Sequence, residues 1–439
     1  MDVAQYLRAV ESAHLNNEYG FLTEVSGLML KGYLPGSRIG SLVEITAFDQ
    51  SQKFLAEVVG FQNQTVMMIP LENVYNISHG CQIKLLESDV YVDVSLDMMG
   101  KVLSPTGKIL NGDSANIQGK SQKWLLYGSS CNPLQRQIIG DRLETGIRVI
   151  DALMTLGRGQ RIAIMAGSGV GKSMLLAQIA RASSADVNVI ALIGERGREV
   201  REFIENELGE EGFSKSVVVV ATSDQSPLLR MRGAFYASAI AEFFSSQGKH
   251  VLLMMDSITR FAMAQREIGL SLGEPPTTKG YTPSVLSLLP KLLERAGNFE
   301  QGSITGLYTV LTEGDDVNDP IADTVRSIVD GHIVLSRSLA NRAHFPAIDV
   351  LSSSSRVMKN VVNREHLNKA NQFKAALSLY QSYEDLIQIG AYKRGQNHRL
   401  DQIIDHYAQI EQFLKQGFDE NAHYSDSLNQ LDHILSLLE

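Results

Sequence analysis

Cysteine and long apolar runs are what this sequence has least of. Of its 439 residues only Cys81 and Cys131 are cysteines, which is too few for a disulfide framework and typical of a reducing compartment. The longest apolar runs, such as residues 251–255, fall far short of the ~18 residues that a membrane-spanning helix needs. The first twenty residues lack the apolar stretch of a secretory signal. We therefore expect a cytoplasmic protein.

Positive charge is in short supply as well. The chain has 40 Lys plus Arg against 49 Asp plus Glu, a formal net charge of −9, which weakly disfavours nucleic-acid binding. The imbalance is stronger in the first 90 residues, where five basic residues stand against ten acidic ones. We therefore expect no nucleic-acid partner.

Short β-prone runs dominate residues 21–88 and predict a small β-barrel. Before them, residues 1–20 form an amphipathic pattern with apolar side chains at helical spacing. These apolar residues are Val3, Tyr6, Leu7, Val10 and Ala13. The predicted helix either packs on the chain's own barrel or docks on a partner.

Residues 89–360 alternate apolar runs with helical patterns, which indicates an α/β domain. The apolar runs show no period-two polarity, as expected for parallel strands buried on both faces. They lie at 161–166, 187–193, 217–221, 251–255, 303–312 and 332–336. After Pro346 the chain contains no proline, and apolar residues at three-to-four spacing predict a small helical domain over residues 361–439.

One segment of the α/β domain carries a phosphate-binding motif. Residues 161–173, RIAIMAGSGVGKS, run from a strand through a glycine-rich turn into a helix, which is the context of a P-loop. The glycines let N–H groups point at phosphate oxygens, Lys172 supplies a cation for the β and γ phosphates, and Ser173 a hydroxyl for Mg²⁺. Ala166 replaces the first glycine of the strict motif. The predicted loop for ATP and Mg²⁺ comprises Ala166, Gly167, Ser168, Gly169, Val170, Gly171, Lys172 and Ser173.

Two acidic residues follow apolar strands of the same domain. Glu195 comes after the run 187–193 and Gly194, a place from which a carboxylate can orient an attacking water. Asp256 ends the run 251–255, the arrangement in which an aspartate holds Mg²⁺ through its water shell. The alternatives are a surface charge cluster around Glu195 and a helix N-cap at Asp256, which can also serve both purposes.

Several motifs in this order resemble the F1/V1-type rotary ATPase family. They are GERGREV at 194–200, DSITRFA at 256–262, GEPP at 273–276, GYTPS at 280–284 and PAIDVLSSSSR at 346–356. Three more are similar to the type III protein-export ATPases: TVLTEGDD at 309–316, DPIAD at 319–323 and GHIVLSR at 331–337. SPLLRM at 226–231 favours the flagellum-specific branch over the injectisome branch. The resemblance implies a RecA-like P-loop core between the N-terminal β-barrel and the C-terminal helical domain.

Carried over residue by residue, the resemblance implies a complete catalytic site. Glu195 is then the general base or water-orienting carboxylate, and Arg196 and Arg260 lie close to the γ phosphate. Arg356 matches the arginine finger that enters the neighbouring subunit's site. Phe345 stands where the family usually has the tyrosine that stacks on adenine. A finger acting in trans between identical subunits implies a ring, by resemblance a homohexamer.

The task of the protein is likewise implied by resemblance. In the export ATPases, hydrolysis helps release cargo from its chaperones and deliver it to a membrane-embedded export gate, so the protein is expected peripherally at the inner face of the cell membrane. The helix in residues 1–20 matches the docking site of a dimeric regulator. The acidic loop at 313–319 matches one that faces a central pore and a coiled-coil stalk protein, with a plain solvated turn as the alternative. Residues 361–439 correspond to the region of chaperone and cargo recognition.

Four other functions fit parts of the sequence, and an injectisome ATPase is the nearest. A rotary ATP synthase subunit is disfavoured by the homo-oligomeric arrangement and by the loop at 313–319. A non-catalytic ring subunit is disfavoured by Glu195, because such subunits typically lack an acid there. A Rho-like RNA helicase needs a barrel that tracks phosphates, which the acidic balance of residues 1–90 does not suit.

Overall fold

The computed structural model describes residues 19–47, 52–72, 77–87, 90–112, 121–128, 132–312 and 319–438. The predicted N-terminal helix lies outside these ranges, and so does the acidic loop at 313–319 except for Asp319. Among the described helices, none has the length and apolarity required to cross a bilayer.

The first described segments form a closed barrel, which confirms the predicted fold of this region. Its strands are β1 (Tyr19–Ser26), β2 (Met29–Tyr33), β3 (Leu42–Thr46), β4 (Lys53–Gln62), β5 (Thr65–Pro70) and β6 (Gln82–Glu87). They neighbour one another in the order β1-β2-β5-β4-β3-β6. Apolar residues at alternate positions, such as Val43 and Ile45 of β3, point inward and are buried, because successive side chains of a strand face opposite sides.

Five short strands follow the barrel in the described part of residues 90–157. They are β7 (Tyr91–Val94), β8 (Lys101–Leu103), β9 (Gln122–Leu125), β10 (Arg142–Leu143) and β11 (Leu156–Gly157). β7 pairs with β9 and β10 with β11, whereas β8 joins the edge of the main sheet.

The main sheet contains β8 and eight later strands. These are β12 (Arg161–Ala166), β13 (Val187–Glu195), β14 (Ser216–Thr222), β15 (His250–Asp256), β16 (Gly297–Phe299), β17 (Gly302–Leu311), β18 (Gly331–Leu335) and β19 (Ile348–Ser355). The strand order is β19-β18-β12-β17-β15-β13-β14-β8, with β16 paired to β17. From β18 to β8 all neighbours are parallel, and β19 and β16 run antiparallel to theirs. All six predicted strands are present in this sheet.

Fourteen α-helices accompany the sheet in the described ranges. They are α1 (Arg148–Leu153), α2 (Lys172–Ala182), α3 (Gly197–Glu202), α4 (Gly209–Ser214), α5 (Pro227–Ser246), α6 (Ile258–Ser271), α7 (Pro283–Leu293), α8 (Pro320–Ile328), α9 (Arg337–Asn341), α10 (Met358–Val361), α11 (Arg364–Gln388), α12 (His398–Asp405), α13 (Tyr407–Leu414) and α14 (Tyr424–Leu437). Between α3 and α4 lies a π-helical segment, Phe203–Leu208.

Both faces of the main sheet are covered, which explains why its strands show no alternation of polarity. Along β13, Val189 and Ala191 belong to one core with α5, α6 and α7. Ile190 and Leu192 belong to a second core with α2 and the C-terminal helices. The C-terminal part is helical as predicted, and it packs directly on the second face of the main sheet through side chains such as Phe413.

A buried ion pair joins the barrel to the main sheet. Glu57 of β4 lies 3.0 Å from the Arg232 guanidinium of α5, and the two residues are only 2% and 5% exposed. The Tyr127 hydroxyl donates a hydrogen bond to the other Glu57 oxygen at 2.6 Å. Arg232 also donates to the Pro105 carbonyl at 3.2 Å. This joint holds β4 in a defined position relative to the sheet.

Candidate active site

The glycine-rich loop connects β12 to α2 at the carboxyl end of the parallel strands. Gly169 and Gly171 have φ values of 76° and 90°, a conformation that side chains disfavour and glycine tolerates. Helix α2 begins at Lys172, directly after Gly171. Its free N–H groups and positive dipole end therefore face the loop, which suits an anion. Ala166 is buried as the last residue of β12, so a small side chain is accommodated there.

Glu195 and Asp256 meet beside this loop. They are the last residues of the adjacent parallel strands β13 and β15, and the carboxyl ends of parallel strands meet at one edge of a sheet. The Lys172 Nζ lies 2.5 Å from Asp256 Oδ1 and 3.9 Å from Glu195 Oε1. The cation and the two carboxylates that the sequence predicted separately thus form one cluster.

The environment of Glu195 shifts its titration toward neutral pH. Burial and, next, the Asp256 carboxylate raise the pKa of Glu195 to about 7, although the Lys172 ammonium acts in the opposite direction. A carboxylate with a pKa near the working pH is suited to accept a proton or to polarise water.

Thr309 is a site residue that the sequence analysis missed. It lies near the carboxyl end of β17 and is fully buried, and its hydroxyl donates to Asp256 Oδ1 at 2.8 Å. The contact holds the Asp256 carboxylate in its orientation toward Lys172. The available signal was a hydroxyl within a buried apolar strand, because a buried hydroxyl requires a hydrogen-bond partner.

The two arginines predicted to lie near the γ phosphate differ in position. Arg260 of α6 packs over Gly194, whose φ of 72° and missing β-carbon permit the approach, and its charge acts on Glu195. The Arg196 side chain is 75% exposed and pairs with Glu199 at 3.1 Å. The geometry brings Arg260 to the cluster and turns Arg196 toward solvent.

Arg356 lies at the opposite end of the sheet, beside the amino ends of the parallel strands. It follows β19, and its N–H donates to the Asp330 carbonyl at 3.0 Å. Asp330 in turn pairs with Arg161, the first residue of β12, at 3.1 Å. Since the loop follows the last residue of β12, six residues or roughly 20 Å of strand separate the two places. The exposed Arg356 side chain therefore does not belong to the cluster of its own chain.

Phe345 borders a cavity on the other side of the loop. Its ring lies so close to Gly171 that a β-carbon there would stand 3.3 Å from ring carbon Cε1. The cavity has a volume of about 550 Å³, and Phe345, Arg148, Gln416 and Glu420 are among its lining residues. The part of the cavity lining that comes from residues 408–420 was not predicted, because it depends on how these residues pack against the loop.

The residues at the cluster fit a magnesium ion. Ser173, Asp256, Glu195, Glu199 and Glu207 line a cavity of about 90 Å³, and carboxylate and hydroxyl oxygens are ligands that Mg²⁺ prefers. In the described residues no group of three or more His, Cys, Asp or Glu side chains is arranged to hold a metal. An ion at Ser173 and Asp256 would therefore complete its shell with phosphate and water, as is usual for Mg²⁺.

Comparisons with known proteins show which family the chain resembles. Residues 146–355 match the model of the ATP synthase alpha/beta family, nucleotide-binding domain, and residues 362–433 match that of the T3SS EscN ATPase C-terminal domain. The chain is 50% identical to the flagellum-specific ATP synthase of Bacillus subtilis, covering 98% of each chain. It is 44% identical to the type 3 secretion system ATPase of Xanthomonas euvesicatoria, covering 97% of this chain and 96% of that one.

A solved structure extends the likeness to three dimensions. The assembled ATPase EscN from the enteropathogenic E. coli type III secretion system is 44% identical, with a TM-score of 0.89 over 95% of this chain and 100% of that chain. Fold and site together define a P-loop nucleoside triphosphatase. The chain belongs to the ATP synthase alpha/beta family, in the branch of the flagellum-specific and type III secretion ATPases, and it is an ATPase.

Proposed function

We propose that the protein is a Mg²⁺-dependent ATPase that works as a homohexameric ring and energises flagellar type III protein export. The observation that carries the proposal is the cluster of Lys172, Glu195 and Asp256 beside a glycine loop and helix N-terminus. These are the groups that phosphoryl transfer to water requires.

Each group has a distinct task in hydrolysis. The N–H groups of residues 167–171 and the Lys172 ammonium bind the β and γ phosphates. Ser173 and Asp256 are the residues that would hold Mg²⁺, and the ion would supply positive charge for the phosphate oxygens. Glu195 orients the attacking water and accepts its proton, and the Arg260 guanidinium beside it stabilises negative charge on the γ phosphate. Arg196 reaches that phosphate only after leaving Glu199.

Arg356 acts on the neighbouring subunit in this proposal. Its position at the far end of the sheet supports a role in trans, since its own cluster is out of reach. An arginine finger contributes about 10³ to 10⁵ in rate, or about 4 to 7 kcal/mol, so the isolated chain should be nearly inactive. A head-to-tail contact that closes by rotation gives a ring, and the related EscN has been solved as an assembled ATPase.

A solved structure of a relative supports one of the proposed partners, a central stalk protein. EscN has been solved in complex with its central stalk EscO, at 43% identity to this chain and a TM-score of 0.87. We infer that a coiled-coil stalk protein enters the ring at the loop of residues 313–319. A dimeric regulator binds residues 1–20, and chaperones and cargo bind the C-terminal helices. The ring docks at the membrane export gate, on the inner face of the cell membrane.

The flagellar assignment has its own support. Identity to the flagellum-specific relative from Bacillus subtilis is 50% over 434 residues, against 44% over 428 residues for the type 3 secretion ATPase from Xanthomonas euvesicatoria. An affinity purification of the tagged full chain from its source cell tests the assignment. Recovery of flagellar export components supports it, whereas recovery of injectisome components or of RNA contradicts it.

Replacing Glu195 by glutamine tests the catalytic role. Glutamine keeps the size of the side chain but cannot accept the proton, so we expect turnover to fall by about 10² to 10⁴ while a fluorescent ATP analogue still binds. Glu205→Gln is the matched control, because Glu205 is exposed and pairs with Arg201 on the surface. Near-normal turnover in Glu195→Gln would remove Glu195 from the catalytic role.

A further inference from the structure

A short segment of the C-terminal part crosses directly behind Phe345. It comprises residues 415–420, between α13 and α14, and is called the strap below. The backbone N–H of Gln416 donates a hydrogen bond of 2.9 Å to the carbonyl oxygen of Phe345. The strap therefore contacts the backbone of the residue whose ring lies over Gly171.

The side chain of Gln416 is buried, with 6% exposure, and has all its hydrogen-bonding groups engaged. Its Oε1 accepts from the Arg148 N–H at 2.8 Å. Its Nε2 donates to the carbonyl oxygens of Gly146 at 2.7 Å and Glu420 at 2.8 Å. The Gln416 side chain thus connects the two ends of the strap and joins the strap to Gly146 and to the start of α1.

The strap is also fastened to the helix that follows the phosphate loop. Gln178 of α2 donates to the carbonyl oxygens of Gly417 and Glu420, each at 3.0 Å. Arg181 of α2 donates to the Phe418 carbonyl at 2.8 Å and stacks on the Phe418 ring at 4.1 Å. The strap therefore bridges Phe345 and α2 and sets their spacing.

We propose that Gln416 is a positioning residue that holds Phe345 in place over the loop and thereby determines the affinity for the nucleotide base. The Phe345 ring is 41% exposed, so packing alone does not fix it, and the strap supplies the missing restraint. A stacking surface that is already in position binds with a smaller entropic cost. The inference rests on the proposed placement of the base beside Phe345.

Gln416→Met tests the proposal because methionine has a similar length and no hydrogen-bonding amide. We expect the KM for MgATP to rise about tenfold, roughly 1.4 kcal/mol, with kcat within about twofold. The inhibition constant of Mg-tripolyphosphate, which has phosphates but no base, should stay unchanged. The matched control is Gln409→Met, because Gln409 is exposed on α13. An unchanged KM, or an equal loss of tripolyphosphate affinity, overturns the proposal.

A double mutant separates positioning from an independent effect. In the background of Phe345→Leu, Gln416→Met should raise the KM no further, because the ring that it holds is gone. If Gln416→Met raises the KM for MgATP by the same factor in the Phe345→Leu background as in the wild type, the proposal is overturned. If Phe345→Leu alone leaves the KM unchanged, the base does not bind there, and both the inference and the base placement fail.

A second substitution guards against loss of the fold. Gln416→Glu keeps the acceptor for Arg148 and the side-chain length, but it places an oxygen against the carbonyls of Gly146 and Glu420. We expect the same rise in KM with unchanged tripolyphosphate inhibition. A wild-type KM in this variant would show that the amide donor does not hold Phe345.

Discussion

Lys172 shares its ammonium group between the two carboxylates of the site. Its contact with Asp256 at 2.5 Å is the shorter one, and Glu195 stands at 3.9 Å. Phosphate oxygens of a bound nucleotide would compete for this cation, and Asp256 would then be free to hold a metal ion. Thr309 keeps the released carboxylate in place.

The raised pKa of Glu195 predicts a pH dependence of catalysis. The carboxylate must be ionised to accept a proton, and burial beside Asp256 raises its pKa to about 7. The value of kcat/KM should therefore rise with pH and reach half of its plateau near that pKa, since this parameter reports ionisations of the free enzyme. Steady-state rates about one pH unit either side of the midpoint measure this, and the residual activity of Glu195→Gln should lack the step. A flat wild-type profile would contradict the prediction.

Lys172, Glu195 and Asp256 were predictable because each belongs to a short local motif that follows a strand. Thr309 and Gln416 were not, because their roles lie in contacts with residues far along the chain. Thr309 reaches Asp256 across 53 positions and Gln416 reaches Arg148 across 268. A local pattern can show that a buried polar side chain needs a partner, as for Thr309, but it does not show which distant residue that partner is.

At the scale of elements, the buried ion pair between Glu57 of β4 and Arg232 of α5 connects the barrel to the α/β domain. Arg232→Met leaves Glu57 buried without its cation, and we expect a loss of about 3 to 5 kcal/mol in the free energy of unfolding. Adding Glu57→Gln removes the stranded charge and keeps an acceptor for Tyr127, so the double mutant should be more stable than Arg232→Met alone. Urea unfolding, followed by the fluorescence of Trp124, measures the stability of both variants. The Trp124 indole N–H donates a hydrogen bond to Glu242 of α5.

A surface pair on the same barrel provides the control. Lys53 and Glu44 lie 2.9 Å apart, with side chains that are 62% and 24% exposed, so Lys53→Met should cost less than about 1 kcal/mol. Equal losses for Lys53→Met and Arg232→Met would mean that burial does not distinguish the two pairs.

Strand β19 is an element that the sequence pattern did not predict. Its last four residues are serines, which are not among the residues enriched in strands, so the motif at 346–356 does not by itself indicate a strand. The strand forms because β18 offers a free edge, and because hydroxyls are used locally, as when Ser353 accepts from the Val334 N–H at 2.9 Å. The parallel strands were predictable because both faces are apolar.

At the scale of the whole molecule, a trans role for Arg356 predicts complementation between two inactive variants. Arg356→Ala chains keep a complete loop, and Lys172→Ala chains keep the finger. In an equal mixture about a quarter of the interfaces combine the two intact halves, so about a quarter of wild-type ATPase activity should return. Rate measurements before and after co-refolding of the variants test this.

Each variant alone serves as its own control and should remain near zero. Absence of recovery in mixtures that form rings of normal size would argue against action in trans.

The helical nature of residues 361–439 was predictable from spacing, but their contribution to the cavity beside Phe345 depends on tertiary packing.

The phosphate loop and Arg356 lie at opposite ends of the parallel strands. The number of complete sites in an assembly therefore depends on how many chains stand at a free end. With Arg356 acting in trans, as proposed, an open string of chains has one terminal loop without a donor and one terminal donor without a loop. A pair then has one working site for two chains, a string of three has two, and only closure removes the deficit. The rate per chain thus measures how many ends remain, which makes ring completion visible in the activity itself.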